Sequence, residues 1–309
     1  MKVLIFLNFL LFSLIESQPK DCEQRVLDIV LVVDSSGSIG ASNFQLARDA
    51  LAKMVNDLDI SPTKCNVGIV NYSYLVESVS SLVGVDQEKR TLINKIKNLP
   101  YLDQATATGN ALETANVIFN RFRRTLTPRV LVLFTDGFSN VGSDIYRAAQ
   151  ALKNSKVSIY SVGIGNGINR KELEDIAEKP VSTYVKLLSD YTDLLKSINE
   201  ITIQTCKVPA FIVKKKTEIL ELNANEVKNV QLELESEELY NINLKSIKGN
   251  LEMSASWLLK NESIIQEGKL ISKKEDGHFY TLKKPENSER LYLKFKGIEN
   301  ENVYELNVY

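Results

Sequence analysis

The chain has 309 residues, and its 38 Lys and Arg side chains nearly balance its 39 Asp and Glu side chains, giving a net charge of −1. This length exceeds one ordinary domain and fits about two. The densest basic run, Lys214–Lys216, is interpreted as a solvated linker, and without a basic stripe the composition argues against nucleic-acid binding.

The amino-terminal residues have the features of a secretory signal. Met1 and Lys2 precede the apolar stretch Val3–Ile15, which is too short to span a bilayer. We predict that residues 1–17 are a signal peptide cleaved near Ser17, the alternative being an uncleaved anchor. No later segment is apolar enough to cross a membrane, so the mature chain is interpreted as secreted.

Apolar runs alternate with helical patterns through the first two thirds of the chain. Such alternation predicts a mainly parallel sheet with helices on both faces, wound in two directions from its centre. Ligands in sheets of this kind bind at the carboxyl ends of the strands, where the strand order reverses. The predicted strands are Leu27–Val33, Val67–Tyr72, Leu75–Val79, Val130–Phe134, Val157–Val162 and Val181–Leu187, and helices are predicted between them and at Tyr191–Ile203.

After Pro209 the pattern changes to period-two alternation. Apolar and polar residues alternate around Val230–Leu234, Tyr240–Leu244, Leu251–Trp257 and Leu291–Phe295. Short alternating segments predict antiparallel strands packed face to face. We therefore expect a small β-sandwich of unknown role at residues 207–309, with its apolar stripes in the core.

Short oxygen-bearing side chains gather in three predicted loops. Asp34, Ser36 and Ser38 follow the first apolar strand, Thr106 precedes a helical pattern, and Asp136 follows the strand Val130–Phe134. Each motif alone is more often a turn or a helix cap than a metal site. Together, hydroxyls with few carboxylates suit a hard divalent cation such as Mg²⁺.

This set resembles the metal-ion-dependent adhesion site (MIDAS) of the von Willebrand factor A family, which has the pattern Asp-x-Ser-x-Ser, then a Thr, then an Asp. The resemblance covers about residues 24–203, within a predicted domain at 18–206. It implies a doubly wound, six-stranded sheet and a metal site formed by Asp34, Ser36, Ser38, Thr106 and Asp136. Mn²⁺ and Ca²⁺ are candidate substitutes for Mg²⁺. Asp103 departs from the glycines that many relatives have before the Thr, and it adds a carboxylate near the site.

The same resemblance implies the function and the cysteine pairing. We expect a secreted adhesion protein whose metal is completed by a carboxylate of an extracellular protein, with collagen or another matrix protein as candidates. In the family fold Cys22 and Cys206 lie at the face opposite the metal, which favours a disulfide between them. Cys65 competes for that pairing, and otherwise it is a buried thiol or links two chains into a dimer.

Two other functional classes remain open. A structural matrix component that assembles through its A domain would share the metal site. A hydrolase is the least expected class, because the chain has a single histidine, His278, and no metalloprotease or nucleophile-elbow motif. Asn-x-Ser sequons predict glycans at Asn261 and at Asn71. Asn261 lies in a polar stretch, whereas Asn71 lies at the end of a predicted strand, where a glycan has less room.

Overall fold

The computed structural model describes residue 22 and residues 25–84, 87–236, 238–261, 264–272 and 278–309. The predicted signal peptide and the side chain of His278 lie outside this part of the chain. Within it, no helix is both long enough and apolar enough to cross a bilayer.

The first part of the chain is a sheet covered by helices on both faces. Its strands are β1 Leu27–Asp34, β2 Cys65–Tyr72, β3 Val76–Ser80, β4 Arg129–Thr135, β5 Ser158–Ile164 and β6 Val185–Leu188. Its helices are α1 Ala41–Asp57, α2 Lys89–Lys97, α3 Thr108–Arg121, α4 Ile145–Asn154, α5 Arg170–Ile176, α6 Val181–Tyr184 and α7 Tyr191–Cys206. The predicted doubly wound architecture is confirmed.

The six strands lie in the order β3-β2-β1-β4-β5-β6, and only the β2–β3 pair is antiparallel. Every residue of β1, β2, β4 and β5 is buried, as expected for strands with helices over both faces. One apolar core joins the sheet to α1, α2 and α7, and a second joins it to α3, α4 and α5. The strand order reverses between β1 and β4, so the carboxyl ends of these two strands define the site where ligands bind in such folds.

One predicted strand was partly wrong. The segment predicted as the strand Val181–Leu187 begins as the short helix α6, and only its second half is strand. Tyr184 at the end of α6 is buried against Tyr160, with ring centroids 6.3 Å apart. This tertiary contact overrides the strand propensity of the β-branched residues that precede it.

The second part of the chain forms two sheets, ordered β13-β10-β15-β8 and β12-β11-β14-β9-β7. Its strands are β7 Ala210–Phe211, β8 Glu218–Leu222, β9 Val227–Glu233, β10 Leu239–Lys248, β11 Leu251–Leu259, β12 Ile264–Ser272, β13 His278–Lys283, β14 Ser288–Gly297 and β15 Asn302–Val308. Side chains from both sheets share one core, in which Trp257 packs edge-on to Tyr240 at 6.0 Å.

The two parts meet where α7 ends. A disulfide joins Cys206, the last residue of α7, to Cys22, with an S–S distance of 2.08 Å. Four residues later β7 begins, and it pairs in parallel with β9. The partly buried Arg290 of β14 forms an ion pair with the buried Glu178 of the first part, at 2.9 Å between Nη1 and Oε1. The connection is therefore short and fixed at several points.

Cys65 is fully buried at the start of β2, and its thiol donates to the Arg25 carbonyl at 3.3 Å. Burial raises the pKa of this thiol to about 12. A buried, protonated thiol is a poor nucleophile and cannot meet a thiol of another chain without local unfolding. The structure therefore does not support the predicted disulfide-linked dimer through Cys65.

The two sequons differ in their surroundings. Asn71 lies in β2 with no exposed surface, and its side-chain nitrogen donates to the Pro100 carbonyl at 2.9 Å. The prediction of a glycan at Asn71 is corrected for this reason, because the folded chain hides the atom that would carry the sugar. Asn261 is exposed in the turn after β11 and stays a predicted glycan site.

Candidate metal centre

The candidate centre lies at the carboxyl ends of β1 and β4. These strands are parallel neighbours, with Val33 opposite Phe134, so the loops that follow them leave the sheet at the same edge. Asp34 ends β1, and Asp136 directly follows the end of β4. The fold thus brings two residues that are 102 positions apart in sequence to one place.

Hydrogen bonds join four of the five predicted ligands. The Ser36 amide donates to Asp34 Oδ1 at 2.9 Å, and the Ser36 and Ser38 hydroxyls are 3.2 Å apart. Ser38 Oγ donates to Asp136 Oδ1 at 2.8 Å. Asp34 and Ser36 are buried, whereas Ser38 is exposed. The cluster is therefore closed to solvent at Asp34 and Ser36 and open to solvent at Ser38.

The fifth predicted ligand, Thr106, is buried and held against the loop that carries Asp136. Its amide donates to Asn140 Oδ1 at 3.0 Å, and the Asn140 amide donates back to the Thr106 carbonyl at 3.0 Å. Ser73 connects the same loop to the end of β2, since its hydroxyl donates to the Ala105 carbonyl at 2.9 Å. The Thr106 segment is thus fixed by backbone contacts on two sides.

Two supporting residues were not predicted from the sequence. Thr135 Oγ1 donates to Asp34 Oδ2 at 2.7 Å and so orients the second oxygen of that carboxylate. The Tyr101 hydroxyl accepts from the Gly40 amide at 3.1 Å and lies 3.1 Å from the Gly37 carbonyl oxygen. The position of Thr135 beside Asp136 was a usable signal, whereas nothing near Tyr101 in the sequence indicates its partners.

Asp103, the residue that departs from the family pattern, contacts the first loop. Its amide donates to the Ser35 carbonyl at 3.0 Å, and its Oδ1 is 3.2 Å from the Tyr101 hydroxyl. A Cβ atom added to Gly37 would come within 3.0 Å of that same Oδ1. Gly37 is therefore needed for a close approach of the two loops, and Asp103 brings an exposed carboxylate beside the centre.

Among the described residues, no Lys or Arg forms an ion pair with Asp34 or Asp136. Burial raises the pKa of Asp34 to about 6, and the neighbouring Asp136 carboxylate raises it further, while hydrogen bonds from Thr135 and Ser36 act in the opposite direction. Burial likewise raises the pKa of Asp136. In the part of the chain that the structure describes, no Lys or Arg contributes to either pKa shift. Two partly desolvated carboxylates without a cationic partner are what a bound metal ion would neutralise.

The donor set fits a hard cation that retains water. In the described part of the chain, no group of three or more His, Cys, Asp or Glu side chains is placed to hold a metal ion. A site here thus depends on the hydroxyls of Ser36, Ser38 and Thr106 in addition to its two carboxylates. Neutral oxygen donors with few carboxylates suit Mg²⁺, which keeps several waters in its octahedral shell. The residues present fit the ion that the sequence predicts.

We expect Gly109→Ala to destabilise the fold and weaken metal binding together. A Cβ atom at position 109 would lie 2.0 Å from the Ser143 carbonyl oxygen, so the backbone of that loop must move away from α3. Overpacking of this kind costs about 1–3 kcal/mol, which urea denaturation measures. Gly137→Ala is the matched control, since its Cβ meets only Ser38 Oγ, at 3.9 Å. Equal stability of the two variants would contradict the role given to Gly109.

Comparison with known proteins shows to which family the first part of the chain is similar. Residues 28–201 match the family described as the von Willebrand factor type A domain. The human collagen alpha-1(XXI) chain is 34% identical over 177 residues, which is 57% of this chain and 18% of the collagen chain. Human matrilin-1 is 32% identical over 179 residues, covering 56% of this chain and 34% of the matrilin. This chain therefore spans only a minor share of the length of these relatives.

Among solved structures, proximal thread matrix protein 1 from the mussel byssus, described as having a zinc-occupied MIDAS motif, aligns with a TM-score of 0.55 at 21% identity. The alignment covers 65% of this chain and 50% of that one. At this identity the likeness concerns the fold.

Proposed function

Because this chain belongs to the von Willebrand factor type A domain family, we propose that it is a secreted adhesion protein that binds an extracellular protein through a Mg²⁺-dependent site. Asp34, Ser36, Ser38, Thr106 and Asp136 would hold the ion, directly or through water. The observation that carries the proposal is the convergence of Asp34, Ser36, Ser38 and Asp136 at the edge where β1 and β4 end, with Thr106 held against the loop that follows Asp136.

The ion would supply a positive charge to which a ligand carboxylate can bind. Two carboxylates neutralise a divalent cation only in part when some of their contacts run through water, so an Asp or Glu of a partner protein completes the shell. Ser38 lies exposed beside Asp136 and leaves room for this approach. The chain's own residues position the ion, while the partner contributes the last ligand.

Apolar side chains around the centre would strengthen this contact by excluding water. Phe138, two residues beyond Asp136, is 53% exposed. Tyr74 and Leu75, in the turn after β2, are 61% and 54% exposed, and the neighbouring Ser73 is bonded to the Thr106 loop. Exposed large apolar residues near a polar centre are typical of a protein-binding surface.

The relatives support the proposed class of partner. Collagens and matrilins are proteins of the extracellular matrix, so collagen or another matrix protein is the proposed ligand class. The same relatives favour a second candidate, a structural matrix component that assembles through its A domain. Metal-dependent self-association in sedimentation experiments would favour the second candidate, and a monomer that binds other matrix proteins would favour the first.

The test is the binding of the chain to a panel of immobilised matrix proteins, beginning with collagen, in Mg²⁺ and in EDTA. We expect saturable binding in Mg²⁺ that falls at least a hundredfold in EDTA. Phe138→Ala should weaken ligand binding by about tenfold, as expected for loss of an aromatic side chain that the bound partner would bury, while Mg²⁺ affinity stays unchanged. Binding that EDTA leaves intact, or no metal-dependent binding to any member of the panel, would contradict the proposal.

A further inference from the structure

A chemically reactive dipeptide lies in the loop between β5 and α5, beside the metal centre. Asn166 and Gly167 are exposed in this loop, and they form the single Asn-Gly dipeptide of the 309-residue sequence. A recess of about 360 Å³ is lined by both residues together with Ser38 and Asp136. The loop therefore forms part of the same surface as two of the candidate metal ligands.

Gly167 lies directly against the backbone of Asp136. A Cβ atom added to Gly167 would be 3.1 Å from the Asp136 carbonyl oxygen, which is closer than an ordinary van der Waals contact. A change in the main chain at residues 166 and 167 therefore acts on Asp136 without an intervening side chain.

An Asn-Gly dipeptide is the sequence in which asparagine loses its side-chain amide most readily. The backbone nitrogen of the glycine reaches the side-chain carbonyl carbon of the asparagine because no Cβ atom stands in the way. The reaction also requires that this backbone N–H gives up its proton, which a hydrogen bond from the same N–H opposes. The structure thus decides whether the dipeptide can react in the folded chain.

Both reacting groups are free in this loop. Among the described residues, neither the Asn166 side chain nor the Gly167 amide has a hydrogen-bond partner, and both residues lie outside helices and strands. Asn225 provides the contrast, since it is also exposed in a turn, but the amide of the next residue, Glu226, donates to the Asn223 carbonyl at 3.1 Å. Exposure alone therefore does not distinguish Asn166; the unbonded glycine amide does.

We propose that Asn166 is a site of spontaneous deamidation and that the carboxylate formed there strengthens cation binding at the metal centre. The Gly167 nitrogen bonds to Asn166 Cγ, the bond between Cγ and Nδ2 breaks, and Nδ2 leaves as ammonia with the proton of the Gly167 amide. Water then opens the cyclic imide. Cleavage at Cγ gives aspartate, and cleavage at the backbone carbonyl gives isoaspartate, whose main chain is one atom longer. No group is oxidised or reduced, and each product carries one new negative charge.

The new charge would find no basic partner in the recess. The described residues that line it include the carboxylates of Asp136 and Asp190 and no Lys or Arg. Arg170, the basic residue that follows in the sequence, is paired with Glu174 at 2.6 Å. A further carboxylate therefore makes the potential more negative where a divalent cation would bind. The chemical step is independent of the proposed function, whereas its effect on the ion rests on the metal site of that proposal.

The chemical step is tested by peptide mapping of the full chain during incubation at neutral pH and physiological temperature. Mass spectrometry with electron-transfer fragmentation separates asparagine, aspartate and isoaspartate at each position. We expect Asn166 to be converted to both products while Asn225 in the same sample stays intact. The proposal is wrong if Asn166 stays intact in the folded chain over the time in which guanidinium-unfolded chain is converted.

The effect on the ion is tested by calorimetric titration of Mg²⁺ into Asn166→Asp and Asn166→Gln. Glutamine keeps the amide and reacts slowly, because its side chain would have to close a larger ring. We expect the Asp variant to bind Mg²⁺ about threefold more tightly than the Gln variant, the size of an interaction between exposed charges. Asn120→Asp is the matched control, since it adds the same charge at an exposed position near the last residue of α3, whereas Thr106 precedes the first.

The outcomes separate this inference from the proposed function. Equal Mg²⁺ affinity of the two Asn166 variants, or an equal gain in Asn120→Asp, would overturn the effect on the ion while leaving the metal site in place. A wild-type chain that binds no Mg²⁺ would overturn the metal site and the effect on the ion together. Peptide mapping decides the chemical step in either case.

Discussion

Asp34→Asn should abolish the stabilisation that Mg²⁺ gives to the folded chain, without destabilising the metal-free protein. Asn keeps the shape of the side chain, so its oxygen can still accept from the Ser36 amide and its nitrogen can donate to Thr135 Oγ1. What the variant loses is the negative charge at the centre of the site. A divalent cation then faces one carboxylate, Asp136, and its affinity falls at least a hundredfold.

The sign of the metal-free effect follows from the pKa. The fold raises the pKa of Asp34 from its ordinary value of 3.8 to about 6. At pH 7 the carboxylate is ionised in a state that the fold disfavours, so it destabilises the metal-free protein. The neutral Asn avoids this cost. We therefore expect the variant in EDTA to be at least as stable as the wild type. A variant that merely damaged the fold would be less stable under both conditions.

The measurement is urea denaturation at pH 7 in EDTA and in increasing Mg²⁺. The wild type should gain about 2.7 kcal/mol when the metal concentration reaches a hundred times the dissociation constant, and Asp34→Asn should gain nothing. Asp57→Asn is the control and should respond like the wild type, because Asp57 is the last residue of α1 and the loop that carries Ser38 precedes the first residue of this helix. Full stabilisation of Asp34→Asn by Mg²⁺ would place the metal elsewhere and remove the basis of the proposed adhesion site.

Much of the centre could be predicted because its chemistry is local in the sequence. Asp34, Ser36 and Ser38 stand within five residues, and the position of Asp136 follows from the rule that parallel strands end at one edge. The supporting contacts could not be predicted. Tyr101 meets Gly37 across 64 positions and Asn140 meets Thr106 across 34, and no periodicity or motif specifies such pairs of loops.

The second part of the chain was predicted less completely. The strand β15 alternates buried and partly buried residues, but its first buried residue is the polar Asn302, which donates to the Leu222 carbonyl at 2.9 Å. A buried amide interrupts the apolar pattern on which strand prediction depends. From Tyr304 to Val308 the sequence does alternate apolar and polar residues, as a strand requires. The strand β7 has only two residues, which pair with β9, and is too short to show any alternation.

The cavity of about 410 Å³ between the segment that links α3 to β4 and the segment from β7 to β8, here called the basic cleft, shows a further limit of sequence patterns. Its cations come from residues 123–129, 156 and 216, and no run in the sequence places them together. Lys214–Lys216 looked like a solvated linker, yet Lys216 lines this cleft and Lys214 lies over the ring of Tyr240 at 5.1 Å. Net charge near zero therefore does not exclude a local excess of positive charge at a junction between two parts.

Arg290→Met should lower the free energy of unfolding by about 3–5 kcal/mol, the cost of leaving a buried charge without its partner. The side chains of Arg290 and Glu178 are 11% and 4% exposed, so water cannot replace the lost guanidinium. Arg290 also donates to Gln231 Oε1 at 3.0 Å and lies over the Phe211 ring at 5.2 Å. Methionine retains the apolar contact and removes only the charge and the donors.

The double variant Arg290→Met/Glu178→Met distinguishes a charge effect from a packing effect. Removing both charges should recover at least half of the loss, since no carboxylate is then buried alone. Arg170→Met is the control, because its pair with Glu174 is exposed and is worth less than about 1 kcal/mol. Urea denaturation of the four proteins at pH 7 gives the comparison.

A loss below 1 kcal/mol for Arg290→Met would mean that Lys153, whose charge also acts on Glu178, replaces the missing arginine. The junction would then depend on the disulfide between Cys22 and Cys206 and on the β7–β9 pairing rather than on the ion pair. A large loss that the double variant recovers would instead show that one buried ion pair fixes how the sandwich meets the metal-binding part.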